Sequence, residues 1–203
     1  MSFTFLLCVL SNFSPKLGSF FKHPATLIFS FILLITCVCV IAISKKYRRE
    51  VPLNYILLAG ATLGESCFLA ATAADLKGHL LMFAIFGTCI AVGALFLAAL
   101  KTSSSVDRDV LIRNMVWFLS FSLLIHIVTL VLVLFAFGFK DKALMMAVSC
   151  LMLIVSAVYV MYALLLIIIP GTHDKDDYIM GALLLYLEIA RLFYWMMQVL
   201  KRQ

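Results

Sequence analysis

Four ionisable residues lie inside the apolar stretches of this chain, where almost every other residue is uncharged. Glu188 and Arg191 sit within the last stretch, residues 177–203, and Glu65 and His126 sit within two earlier ones. Glu188 and Arg191 are spaced i, i+3, which puts carboxylate and guanidinium on one helix face where they can bond each other. At the 1.5 Å rise of a helix they stand roughly 16–20 Å along it, near the midplane of a ~30 Å hydrocarbon core. An ionisable group at that depth costs at least ~2.5–3.5 kcal/mol, so it faces a protein interior or a wet cavity. Two chemistries are open to such a set. One is a fixed ion pair that locks helix packing. The other is a proton- or cation-responsive site, because a buried carboxyl holds or releases its proton according to the charge beside it.

The candidate set is wider than the pair. If successive spans alternate in direction, Glu65, His126 and Glu188 fall at nearly one depth, a coincidence the linear order does not require. His126 taken alone reads as a hydrogen-bonded packing residue. Just before Glu65 comes Gly60-Ala61-Thr62-Leu63-Gly64, followed by Ala70, Ala71, Ala73 and Ala74. Small residues at this spacing let two membrane helices approach closely, so Gly60 and Gly64 are read as packing residues.

Enzymatic readings find little support. The four histidines are His23, His79, His126 and His173, and just one lies at membrane depth, which makes a three-ligand zinc site hard to build. The sequence holds no G-x-S-x-G, P-loop or dinucleotide fingerprint, so neither catalysis nor a cofactor is expected. Cys8, Cys37, Cys39, Cys67, Cys89 and Cys150 all fall in apolar runs and read as small buried hydrophobes. Cys37-x-Cys39 has no matching second pair, so no metal is expected there either. The net charge of +6 is carried by basic residues at the ends of apolar runs, where they anchor to headgroups; it is not a nucleic-acid footprint.

The elements that position these residues are transmembrane helices. The 203 residues are 65% hydrophobic and 13% charged, against about 45–50% and about 25% for a soluble domain. That composition predicts an all-α polytopic bundle whose lipid contacts are extensive. Spans are expected at 24–44, 53–74, 79–100, 113–138, 143–169 and 178–200. Residues 1–23 form a separate short segment ahead of the bundle at 24–203. Its apolar run, residues 3–10, is too short to span and lacks the basic start and cleavage site of a secretory signal. The start is free of acids until Glu50, which is compatible with mitochondrial import, although no arginine precedes Arg48. Lys45, Lys46, Arg48 and Arg49 form a basic knot after the first span, which belongs on the cytosolic or matrix side. Over the whole chain, Arg191 apart, eight Lys and Arg fall on the knot's side and seven on the other, so only the concentration at 45–49 favours one orientation.

The pattern resembles the Bax inhibitor motif (lifeguard-like) family of membrane proteins. The likeness runs from about His23 to Leu200 and rests on motifs in a fixed order. They are His23-Pro24 opening a span, Pro52-Leu53-Asn54 followed by Glu65-Ser66, and Tyr178-Ile179 leading to Leu185-Tyr186-Leu187-Glu188-Ile189 and Leu192-Phe193. The resemblance implies a seven-helix bundle in an intracellular membrane, associated with calcium leak, pH sensing and regulation of cell death. It also implies that the acid at Glu188 pairs with a second acid late in the sixth helix. The matching run here reads Tyr162-Ala163-Leu164-Leu165, without that acid, and Arg191 stands where the family usually has asparagine. The family's first helix is reduced to about residues 3–11.

The expected fold is therefore six full spans plus a shortened N-terminal segment, Bax-inhibitor-like. Two functions are open. The first is a cation (calcium or proton) leak or homeostasis protein of the endoplasmic reticulum, Golgi or mitochondrial inner membrane, with Glu188 as the permeation-site acid. Arg191 would be its tether, and Glu65 and His126 secondary lining. The alternative is a non-catalytic accessory subunit, bound to other membrane subunits, that has lost the gating site.

Overall fold

In the computed structural model, the structure describes residues 1–44, 46–47, 50–107, 109–110, 142–169 and 178–202. Those residues form seven helices: α1 (Ser2–Phe13), α2 (Pro15–Lys22), α3 (Pro24–Ile43), α4 (Leu53–Ala73), α5 (Gly78–Ser103), α6 (Lys142–Ile168) and α7 (Tyr178–Lys201). Five of them, α3 to α7, are long and apolar enough to cross a membrane. Each falls within a few residues of an expected span. The sixth expected span, 113–138, and His126 within it lie outside the described residues.

Proline punctuates the amino-terminal end. Ser14 and His23 both adopt extended backbone, and Pro15 and Pro24 occupy the first position of the helices that follow. This is the geometry a proline imposes: the residue before it is pushed out of the helical region, and its missing N–H costs nothing at N1. His23 Nδ1 also accepts a bond from the Ala25 N–H at 3.3 Å. The 23 residues read as a short separate segment are thus two helices folded back on one another. They share a core with the spans: Cys8 of α1 and Phe21 of α2 pack with Leu69 and Ala70 of α4, Leu81 and Ala84 of α5, and Phe193 and Met197 of α7.

Within lipid the tails are as apolar as the side chains, so association rests on close packing and interhelical hydrogen bonds. The α3–α4 contact shows the first. A Cβ on Gly60 would lie 2.7 Å from Cys37 Sγ, and one on Gly64 would lie 2.7 Å from the Ser30 carbonyl oxygen and 3.0 Å from Leu34 N. Docking of α1 on α4 shows the second. Ser11 Oγ donates to the Ala70 carbonyl at 2.8 Å, and Asn12 Nδ2 donates to the Ala73 and Leu76 carbonyls at 2.8 and 2.6 Å. The Ala70 and Ala73 carbonyls also accept from the Ala74 and Leu76 N–H groups at 3.0 Å each, so the α1 side chains use their second lone pairs.

Helix α7 organises the bundle. The described residues form three buried clusters, and α7 contributes to each: Phe193 and Met197 with α1, α2, α4 and α5, Leu192 with α5 and α6, and Ile179 and Leu183 with α3 and α4. A helix that packs on all sides is also the one that can carry polar groups away from lipid.

Candidate functional site

Glu188 and Arg191 lie near the middle of α7, partly buried among its packed faces. Arg191 Nη1 donates to both carboxylate oxygens of Glu188, each at 3.1 Å. The Glu188 side chain is 13% exposed and that of Arg191 32%. The contact uses one guanidinium nitrogen rather than the two-pronged fork that arginine offers a carboxylate. Among the described residues, the other donors of Arg191 have no protein partner.

Arg191 also faces a cavity of about 420 Å³ that opens between α3, α4, α6 and α7. Glu65 and Phe68 line it from α4, Leu34 and Val38 from α3, Met152 from α6, and Tyr194 and Trp195 from α7. Glu65 thus meets Arg191 across the cavity that the two helices enclose. No hydrogen bond to the Glu65 carboxyl is formed among the described residues. The ionisable groups within electrostatic reach of it there are Arg191 and Tyr186. Two carboxylates and one guanidinium carry one uncompensated negative charge when all are ionised. In a poorly solvated site that charge is costly, and one proton or one cation balances it.

Of the residues singled out from sequence, Glu188, Arg191 and Glu65 are brought together, and His126 lies outside the described residues. Gly64 immediately precedes Glu65 and Gly60 lies five residues before it, and both hold α4 against α3. Ala163, where the resemblance implies a second acid, is fully buried in α6.

Tyr186, two residues before Glu188, centres a second polar group to which the sequence reading gives no role. Thr4 Oγ1 lies 2.9 Å from Ser66 Oγ and 3.1 Å from the Tyr186 hydroxyl, and Ser66 Oγ lies 3.3 Å from the same hydroxyl. Tyr186 donates to the Thr62 carbonyl at 3.2 Å, which leaves its oxygen as an acceptor. The cluster joins α1, α4 and α7 beside Glu65. A signal for it exists in the sequence: Thr4, Cys8 and Ser11 recur at i, i+4 and i+7, a small and partly polar stripe on an otherwise greasy helix.

At one end of the bundle, Asp75 in the α4–α5 turn accepts from Lys22 at the end of α2 and from Lys201 Nζ of α7, the latter at 3.3 Å. The Lys22 hydrogen bond is the main reason the Asp75 carboxyl is held below the usual carboxylate range; partial burial opposes it and Lys201 reinforces it. The three charges place the ends of α2, α4 and α7 on one side of the membrane, as alternating spans require.

Comparison with known proteins agrees with this architecture. The family model described as "Inhibitor of apoptosis-promoting Bax1" matches residues 1–203. Protein LIFEGUARD 3 of Arabidopsis thaliana is 27% identical over 170 residues, which is 84% of this chain and 66% of that relative's length. An all-helical bundle with five apolar spans among its described residues, an acid deep in its last helix and a family match from end to end place the chain in the Bax inhibitor family of membrane proteins.

Proposed function

We propose that this chain is a cation leak or ion-homeostasis protein of an intracellular membrane, acting on calcium or protons and thereby on cell-death decisions. The observation that carries the reading is the cavity shared by Glu65 and Arg191, with Glu188 bonded to the same guanidinium. In this reading Glu188 is the acid of the permeation path, and Arg191 is its tether. Glu65 supplies, from α4, the second carboxylate that α6 lacks at Ala163. A proton arriving at either acid changes which carboxylate the guanidinium holds, and so changes whether the path carries a free negative charge. The donors of Arg191 that have no partner among the described residues, and its single-nitrogen contact to Glu188, are compatible with that exchange. Family membership supports the class of protein; the ion and the organelle belong to the proposal.

The test is flux of calcium and of protons into vesicles containing the purified chain, measured across pH. Glu188→Gln is expected to abolish the pH dependence. Unchanged flux with an unchanged pH response in that variant removes Glu188 from the mechanism.

A further inference from the structure

Near the carboxyl end of α7, on the membrane side that carries Asp75, a second and smaller cavity of about 130 Å³ lies between α6 and α7. Its walls include Ser149 and Met145 from α6 and Trp195, Gln198 and Arg202 from the α7 end. The Nε of Arg202 is buried and has no hydrogen-bond partner. A buried donor without a partner is rare in native proteins and calls for an explanation, most often a water or an ion that completes it.

Among the described residues, no acid forms an ion pair with the Arg202 side chain. Asp75, the acid at this end among the described residues, is already engaged by Lys22 and Lys201. The remaining wall favours an anion. Gln198 and Trp195 add side chains that carry N–H donors to the wall. Met145 lies in the first turn of α6, a 27-residue helix whose amino end carries partial positive charge. Arginine with amide and indole donors is the set that recognises a planar or tetrahedral oxyanion, phosphate above all. The place is equally telling: Arg202 directly follows Lys201, the last residue of a spanning helix, at the depth of the lipid headgroups.

We infer that this cavity, with Arg202 as its principal ligand and Gln198 and Trp195 beside it, binds a phosphate group. The phosphodiester of a membrane lipid reaches it from the bilayer, and a soluble phosphate reaches it from the water. The cavity is distinct from the Glu65–Arg191 one, with Tyr194 and Trp195 lining both, and the inference does not depend on the proposed function.

The experiment is calorimetric titration of the whole chain in a non-ionic detergent with three compounds: dihexanoyl-phosphatidylglycerol, inorganic phosphate, and dihexanoylglycerol, which has the chains without the phosphate. Saturable binding of the phospholipid with no response to dihexanoylglycerol is expected. Arg202→Gln is expected to weaken it at least ~10-fold, with Arg202→Lys between the two because it keeps the charge and loses the fork. Gln198→Leu, which leaves Arg202 intact, is expected to weaken it less. Binding of the phospholipid alone assigns the site to lipid, and comparable binding of inorganic phosphate assigns it to the soluble ion. Absence of binding by both phosphate compounds, an Arg202→Gln titration equal to the unsubstituted chain, or equal binding of dihexanoylglycerol overturns the inference.

Discussion

Thr4 in the first turn of α1 and Tyr186 in the interior of α7 share a hydrogen bond of 3.1 Å across almost the whole length of the chain. The bond fixes where the short amino-terminal helix sits, because Ser66 of α4 closes the same cluster. Tyr186→Phe keeps the ring and removes the hydroxyl, so the Thr62 carbonyl loses its donor. A loss of about 0.6–2 kcal/mol is expected, the range for interhelical bonds in membranes. The readout is thermal unfolding in detergent together with proteolysis of residues 1–23. If α1 stays equally protected and the unfolding midpoint does not move, the cluster does not hold the helix.

The two close-packed glycines of α4 separate side-chain from backbone crowding. At Gly60 an added methyl meets the sulfur of Cys37, the end of a small side chain that can rotate. At Gly64 it meets the Ser30 carbonyl and the Leu34 amide, which move only if α3 moves. Gly64→Ala is therefore expected to destabilise by about 1–3 kcal/mol, the usual cost of overpacking. Gly60→Ala is expected to cost less, and Gly60→Ala with Cys37→Ala less again. Equal losses for the two single variants in a denaturation series would show that backbone proximity is not what sets the difference.

Why these features divide into legible and hidden ones follows from periodicity. The five described spans are long apolar runs bounded by charge, and their ends lie within a few residues of the expected ones because Lys77, Lys101 and Lys201 cannot be drawn into lipid. Glu188 and Arg191 stand out because an ion at the midplane is costly enough to be conspicuous. Residues 1–23 were read by length, as a run too short to span, and length says nothing about docking. Their structure is set by hydroxyl and amide side chains (Thr4, Ser11, Asn12) bonding to α4 and α7 over separations that no local pattern encodes. Shared depth links Glu65 to Glu188; which faces of α4 and α7 meet, and so that Glu65 faces Arg191, depends on packing at Leu69, Ala70 and Ala190 and is not written along the chain.

Asp75 gives the protein a pH dependence outside the membrane. Its folded pKa lies below the unfolded value of about 3.9, so its stabilisation is fully present above that value and is lost as pH falls through the folded pKa. The lysines and the aspartate are each nearly half exposed, so the effect is modest and screened by salt. Asp75→Asn is expected to lower the unfolding midpoint at neutral pH and low salt, and to converge with the unsubstituted chain in strong acid. A difference that persists unchanged into strong acid would mean that the asparagine perturbs the turn and that charge is not the cause.

The Glu188–Arg191 contact can be weighed against the fixed-pair reading by removing its partners in turn. Arg191→Leu leaves the Glu188 carboxyl, 13% exposed, without the donor that now contacts both of its oxygens. An unsatisfied buried group of this kind costs about 1–3 kcal/mol, and more when charged. Glu188→Gln/Arg191→Leu removes the charge together with its donor, and its loss is expected to be smaller than that of Arg191→Leu alone. Glu65 sharpens the comparison, because it shares the cavity with Arg191 and is not bonded to it. If the guanidinium serves both acids, Glu188→Gln should be tolerated, with Arg191 turning to Glu65, whereas Glu65→Gln/Glu188→Gln should strand the cation and destabilise more than the sum of the two single changes. Additive losses in that cycle would leave Glu188 and Arg191 as a closed pair, with Glu65 a bystander on the cavity wall.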